Sequence, residues 1–152
     1  MSNYSQIIIQ IVFAVHGRES LIKSEWEERL YQYITGIIRG KKQKLLAING
    51  IENHIHILVG IEPSCCLSDL VREIKKSSND FINSNRLSSF RFSWQEGFGA
   101  FSYSKHEMTS IIHYILNQKE HHKTLKFKDE YLEMLESNEI DYDKRYLFDW
   151  VD

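Results

Sequence analysis

The segment Ile7–Val15, IIIQIVFAV, is dense in β-branched side chains and apolar on both faces of a pleat. It is too short, and too apolar all round, to be an amphipathic helix, so it predicts a strand in the middle of a sheet. The rest of the chain has to be arranged around it. Gln10 interrupts the run, which is far below the ~18 residues of a membrane span and has no basic segment before it. No membrane or export segment is expected.

Around this strand the apolar pattern alternates between two periods. Ser24–Glu27, SEWE, reads as a capping box opening a first helix, with Trp26, Leu30, Tyr33, Ile34, Ile37 and Ile38 at helical spacing as far as Gly40. Lys44–Ile48 and Ile55–Ile61 are two further strands, and Asn49-Gly50 is expected to form the turn of their antiparallel hairpin. After Pro63, a second helix carries Leu67, Leu70, Val71, Ile74, Phe81 and Ile82 on its stripe. The aromatic, glycine-spaced region from Arg86 to Ser102 supplies a fourth strand with an irregular approach. A second capping box, SKHE at Ser104–Glu107, opens a third helix through MTSIIHYILNQKEHH, and FKDEYLEML makes a short last helix. The order β-α-β-β-α-β-α predicts an α+β domain of ferredoxin-like or RRM-like type, one domain over residues 1–152, its antiparallel sheet backed by helices on one face.

Composition narrows the function classes. With 19 basic against 21 acidic residues there is no global electrostatic case for nucleic acid, so any such contact has to be local. The two cysteines, adjacent at Cys65 and Cys66, suit neither a disulfide framework nor a structural zinc site, and a reducing cytoplasm is the simpler expectation.

The residues able to do chemistry lie on the third strand and the third helix. Side chains alternate along a strand, so His54 and His56 share one face while Ile55, Ile57 and Val59 take the other. If the first two helices cover the isoleucine face, the histidine face is left open, and two imidazoles two residues apart can grip one divalent ion. In the third helix, at ~100° per residue, Glu107, Tyr114, Gln118 and His121 fall within roughly a 60° sector, away from Met108, Ile111, Ile112 and Ile115. Tyr114 and Gln118 are an i, i+4 pair whose tips project together. Glu107 is accounted for by its cap, and His121-His122 by the helix C-terminus, so these three stay outside the expected site.

NHIHILV on a strand followed by YILNQ on a helix, together with IIIQIVFAV, LLAINGIENHIHILVG, CLSDLVREIKKSS and WQEGFGAFSYS in that order, resembles the single-tyrosine HUH transposases of the insertion-sequence 200/605 type. The resemblance spans nearly the whole chain and implies a DNA transposase that cuts and rejoins single-stranded DNA through a 5′-phosphotyrosine. By its pattern Tyr114 is the nucleophile, His54, His56 and Gln118 are the metal ligands, and magnesium or manganese is the cofactor. It also implies a hairpin-bearing single-stranded DNA partner and a homodimer in which the tyrosine helix of one subunit can complete the site of the other. The setting implied is a prokaryotic cytoplasm, acting at the nucleoid. Arg39, Lys41 and Lys42, or Arg72, Lys75 and Lys76, are the candidate DNA contacts. Asn53 stands where relatives often have an acidic residue, and can still hydrogen-bond an imidazole. Two other readings stand beside this one. One is a non-catalytic nucleic-acid-binding module of the same fold; the other is a small metallohydrolase that does not use Tyr114.

Overall fold

In the computed structural model, which describes residues 4–151, β1 (Ile8–Ala14) lies inside a four-stranded sheet, as its two apolar faces demand. It is followed by α1 (Ser24–Gly40), β2 (Lys44–Ile51), β3 (His54–Gly60), α2 (Leu67–Ser84) and β4 (Gly99–Tyr103), then α3 (Met108–Leu116), α4 (Gln118–His121) and α5 (Phe127–Ser137). The strand order is β2-β3-β1-β4, with every neighbouring pair antiparallel. This is the ferredoxin-like arrangement, and it sets β1 beside β3 with Val12 opposite His56 and Ala14 opposite His54.

The two faces of the sheet are covered by different helices. Ile11, Phe13, Ile55, Ile57 and Val59 are buried with Leu30, Ile34 and Ile38 of α1 and Leu70, Ile74 and Ile82 of α2. Phe13 meets Trp94 edge-on at 4.7 Å. On the other face Ile8 and Leu58 pack with Ile115 and, at the margin, Met108, Ile111 and Ile112 of α3. The histidine face is therefore closed. His54 and His56 are both 0% exposed, because α3, α4 and α5 lie over the strand positions expected to face solvent.

Three local expectations are corrected. Asn49-Gly50 is not the hairpin turn: both residues sit inside β2, opposite His56 and Ile55, and Glu52-Asn53 turns the chain. Ser24 does not cap α1; it is the first helical residue, Lys23 takes the extended cap conformation, and no side chain caps the end. The third helix is not continuous, because Asn117 at φ −100° and ψ 17° leaves the helical region and separates α3 from α4. The second capping box is present, with the Ser104 backbone N–H donating to Glu107 Oε1 at 2.9 Å. Among the described residues, no helix is long and apolar enough to cross a membrane.

Candidate active site

β3 delivers two imidazoles to one face because its side chains alternate, and each ring is held by its Nδ1. His54 Nδ1 lies 2.7 Å from Asn53 Oδ1, and the Asn53 amide is oriented by donating from Nδ2 to the carbonyl of Val151 at 2.5 Å. His56 Nδ1 lies 2.6 Å from Gln10 Oε1, and Gln10 is oriented by donating from Nε2 to the Tyr103 hydroxyl at 2.7 Å. Both partners are acceptors, so both Nδ1 atoms carry the hydrogen and both Nε2 atoms present lone pairs. These lone pairs stand 3.1 Å apart.

The break at Asn117 starts a new turn at Gln118, which is fully buried beneath the strand. Gln118 Oε1 stands 3.1 Å from His54 Nε2, and its Nε2 donates to Glu130 Oε2 at 2.9 Å. Tyr114, one helical turn earlier, donates its hydroxyl to the same Glu130 Oε2 and sets its ring edge-on to His56 at 6.0 Å. All four residues expected in the site, His54, His56, Tyr114 and Gln118, thus meet in one cluster built from one chain. A pocket of about 310 Å³ lined by Gln10, Tyr103, Tyr114, His121, Glu130 and Glu133 opens onto it.

Two members of the cluster were not expected. Glu130 of α5 is 2% exposed and places Oε1 3.2 Å from His54 Nε2 and 3.1 Å from His56 Nε2. His122, set aside in sequence as a helix-end residue, puts Nε2 3.0 Å from Glu130 Oε1. A signal for Glu130 was present: it shares the apolar face of its helix with Phe127, Tyr131 and Leu135, and a carboxylate is almost never buried without partners. Phe127 of the same face stacks on His54 at 3.8 Å, and Phe148 and Trp150 of the tail close over Phe127. Those tail residues dock on their own domain, whereas Tyr146 is 80% exposed.

The electrostatics follow from burial. Desolvation pushes His54 down to about 4, against the pull of Glu130. Burial alone would raise Glu130, but the imidazoles around it, His56 first and then His122 and His54, hold it below the usual carboxylate range. Burial, then the charge of Glu130 and its hydrogen bond, push the Tyr114 phenol up. A histidine kept neutral in the fold contributes stability that is present above its unfolded pKa and is lost as pH falls through its folded pKa. The metal-free protein should therefore lose on the order of 3 kcal/mol between pH 6.5 and about 4 through His54. Urea unfolding in chelator at a series of pH values reads this, and a flat stability across that window would contradict a neutral, buried His54.

The basic candidates lie elsewhere, on and after the helices that cover the other face of the sheet. Arg39, Lys41 and Lys42 are exposed at the end of α1, and Arg72 and Lys76 are exposed on α2. Arg72 pairs with Asp69. Lys75 is committed within the fold: its Nζ donates to the carbonyls of Gln95 at 2.7 Å and Gly97 at 2.5 Å and lies over the Phe13 ring, and burial pushes its pKa down to about 8. Arg72, Lys75 and Lys76 line a groove of about 620 Å³ with Trp94 and Phe98.

Comparison with known proteins adds a family and a fold. The family model described as "Transposase IS200 like" matches residues 3–118. A crystal structure of a protein of Deinococcus radiodurans R1 assigned as a transposase superposes with a TM-score of 0.61 at 19% identity, covering 78% of this chain and 95% of that one. A REP-associated tyrosine transposase bound to a REP hairpin superposes with a TM-score of 0.60 at 19% identity, covering 82% of this chain and 76% of that one. At that identity the two structures speak for the shared fold. No curated protein sequence matches the chain.

Proposed function

The chain belongs to the family of IS200-like transposases, and from that premise we propose that it cuts and rejoins single-stranded DNA beside a hairpin, with Tyr114 as nucleophile and His54, His56 and Gln118 holding a divalent ion. The observation that carries the reading is the convergence of those four side chains in one buried cluster.

The donor set suits magnesium or manganese. His54 Nε2 stands 3.1 Å from both His56 Nε2 and Gln118 Oε1, the three atoms proposed to hold the ion. Asn53 and Gln10 supply the outer hydrogen bonds that fix metal-binding histidines in the required tautomer. A divalent ion bound there would stabilise the charge that develops on a scissile phosphate.

In the proposed reaction the Tyr114 oxygen forms a bond to phosphorus as the bond from phosphorus to the 3′-oxygen breaks. The phenol proton is given up and the departing 3′-oxygen takes one up, leaving a 5′-phosphotyrosine and a free 3′-hydroxyl. The covalent link conserves the phosphodiester energy, so another 3′-hydroxyl can reverse the step without nucleotide hydrolysis. The pocket beside Tyr103 and Glu133 gives the DNA backbone its way to Tyr114. Arg72 and Lys76, beside the half-buried ring of Phe98, offer a surface for unpaired bases and backbone, with Arg39, Lys41 and Lys42 as the second patch. The structural neighbour bound to a REP hairpin supports a hairpin as partner.

Incubation with single-stranded hairpin oligonucleotides and magnesium or manganese is expected to give a protein–DNA adduct that survives a denaturing gel. Binding with no cleavage across such a set would replace the enzyme with a non-catalytic binding module.

A further inference from the structure

The proposed metal set leaves two buried groups of the same cluster without a role. His122 Nδ1 lies 2.6 Å from the carbonyl oxygen of Leu125, which can only accept, so this ring too carries a hydrogen on Nδ1 and turns Nε2 into the cluster. That Nε2 faces Gln118 Oε1 at 3.1 Å and Glu130 Oε1 at 3.0 Å. Glu130 Oε1 in turn faces His54 Nε2 at 3.2 Å and His56 Nε2 at 3.1 Å. Three imidazole nitrogens, a carboxylate oxygen and an amide oxygen therefore converge on one buried point. Electron-pair donors gathered this closely away from water need positive charge among them, which a bound cation would supply.

The two oxygens of Glu130 divide their partners. Oε1 faces the three imidazoles, while Oε2 accepts the hydroxyl of Tyr114 and the amide of Gln118. Resting on the metal reading above, we infer that Glu130 is a further ligand of the divalent ion through Oε1 and the positioning residue for Tyr114 through Oε2, with His122 as a third imidazole on the same ion. A set of three imidazoles, one carboxylate and one amide suits a first-row transition ion such as manganese better than magnesium, which prefers oxygen donors and retained water. One carboxylate then ties the nucleophile to the ion, so Tyr114 is aligned before DNA arrives.

Titration of the full chain with Mn²⁺, followed by loss of the free-ion electron paramagnetic resonance signal, reads this without DNA or turnover. Glu130→Gln keeps the side-chain shape and removes the charge. Its Mn²⁺ affinity should fall at least about tenfold, as should that of His122→Ala. If Glu130→Gln fails to fold by circular dichroism, Glu130→Asp takes its place, with a carboxylate one methylene short of the ion and an affinity loss again expected. Wild-type affinity in the Glu130 variant, with binding lost in His54→Ala, overturns the inference and leaves the metal reading standing. Tighter binding in Glu130→Gln overturns it as well, because the carboxylate would then be a plug in the ion's place. Binding that His54→Ala does not weaken, or no binding by the wild type, overturns the metal reading itself.

Discussion

Replacing Tyr114 by phenylalanine is expected to remove the covalent protein–DNA adduct and to lower strand cleavage at least about a thousandfold, since loss of the nucleophile removes the bond-forming atom itself. The fold should hardly notice. The Tyr114 ring is half-buried, its hydroxyl donates to Glu130, and Glu130 Oε2 keeps the Gln118 amide at 2.9 Å after the exchange. Losing that one hydrogen bond is worth about 1 kcal/mol, so the melting temperature should move by a few degrees at most. A denaturing gel with hairpin oligonucleotides and manganese reads the adduct, and the same lanes read cleavage. Cleavage that persists in Tyr114→Phe without an adduct would make the protein a metallohydrolase that uses water. The expected homodimer can be addressed with the same variant. Because Tyr114 and His56 are neighbours within one chain, a mixture of Tyr114→Phe and His56→Ala chains should form no adduct. Adduct restored by mixing would place the nucleophile in the partner's site.

What the sequence discloses of this site depends on how far apart the informative residues lie. His54 and His56 were legible because strand alternation acts over two residues, and Tyr114 with Gln118 because helical periodicity acts over four. The tyrosine–glutamine pair survives even though the helix breaks at Asn117 between them. Glu130 and His122 were missed because their meaning is tertiary. Each looks like an ordinary helix residue until α5 folds back and brings a carboxylate to three imidazoles. Gln10 is a similar case: in sequence it merely interrupts an apolar run, yet on the sheet it shares the face of His56 and fixes that ring. The closure of the histidine face was hidden for the same reason, since the cover comes from helices that follow the sheet in sequence.

Substituting Gly50 by alanine is expected to be the most damaging single methyl addition in the sheet. Asn-Gly is a strong turn signal, which is why the pair predicts a hairpin bend. In the structure the residue is instead a close approach inside β2. A Cβ there would stand 2.2 Å from the His54 carbonyl oxygen and 2.8 Å from the Ile55 Cα. Both obstacles are backbone, so no side-chain rotation relieves them, and β2 has to move away from β3. The neighbouring contacts would go with it, since Lys119 Nζ donates to the Gly50 carbonyl at 3.1 Å and Asn49 Nδ2 to the Leu116 carbonyl at 3.0 Å, tying the tyrosine helix region to this strand. The overpacking should cost about 3 kcal/mol or more, read as a shift of the urea midpoint at unchanged slope. Displacing the His54 backbone also displaces its ring, so the folded fraction of Gly50→Ala should bind Mn²⁺ more weakly than the wild type. Gly36, with nothing within 4 Å of its own added Cβ, is the matched control: in the exposed middle of α1, Gly36→Ala should leave stability unchanged or raise it by up to about 1 kcal/mol. Equal stability in Gly50→Ala and the wild type would mean that β2 and β3 are not in this register. The placement of His54 beside Gln118 would then fall with it.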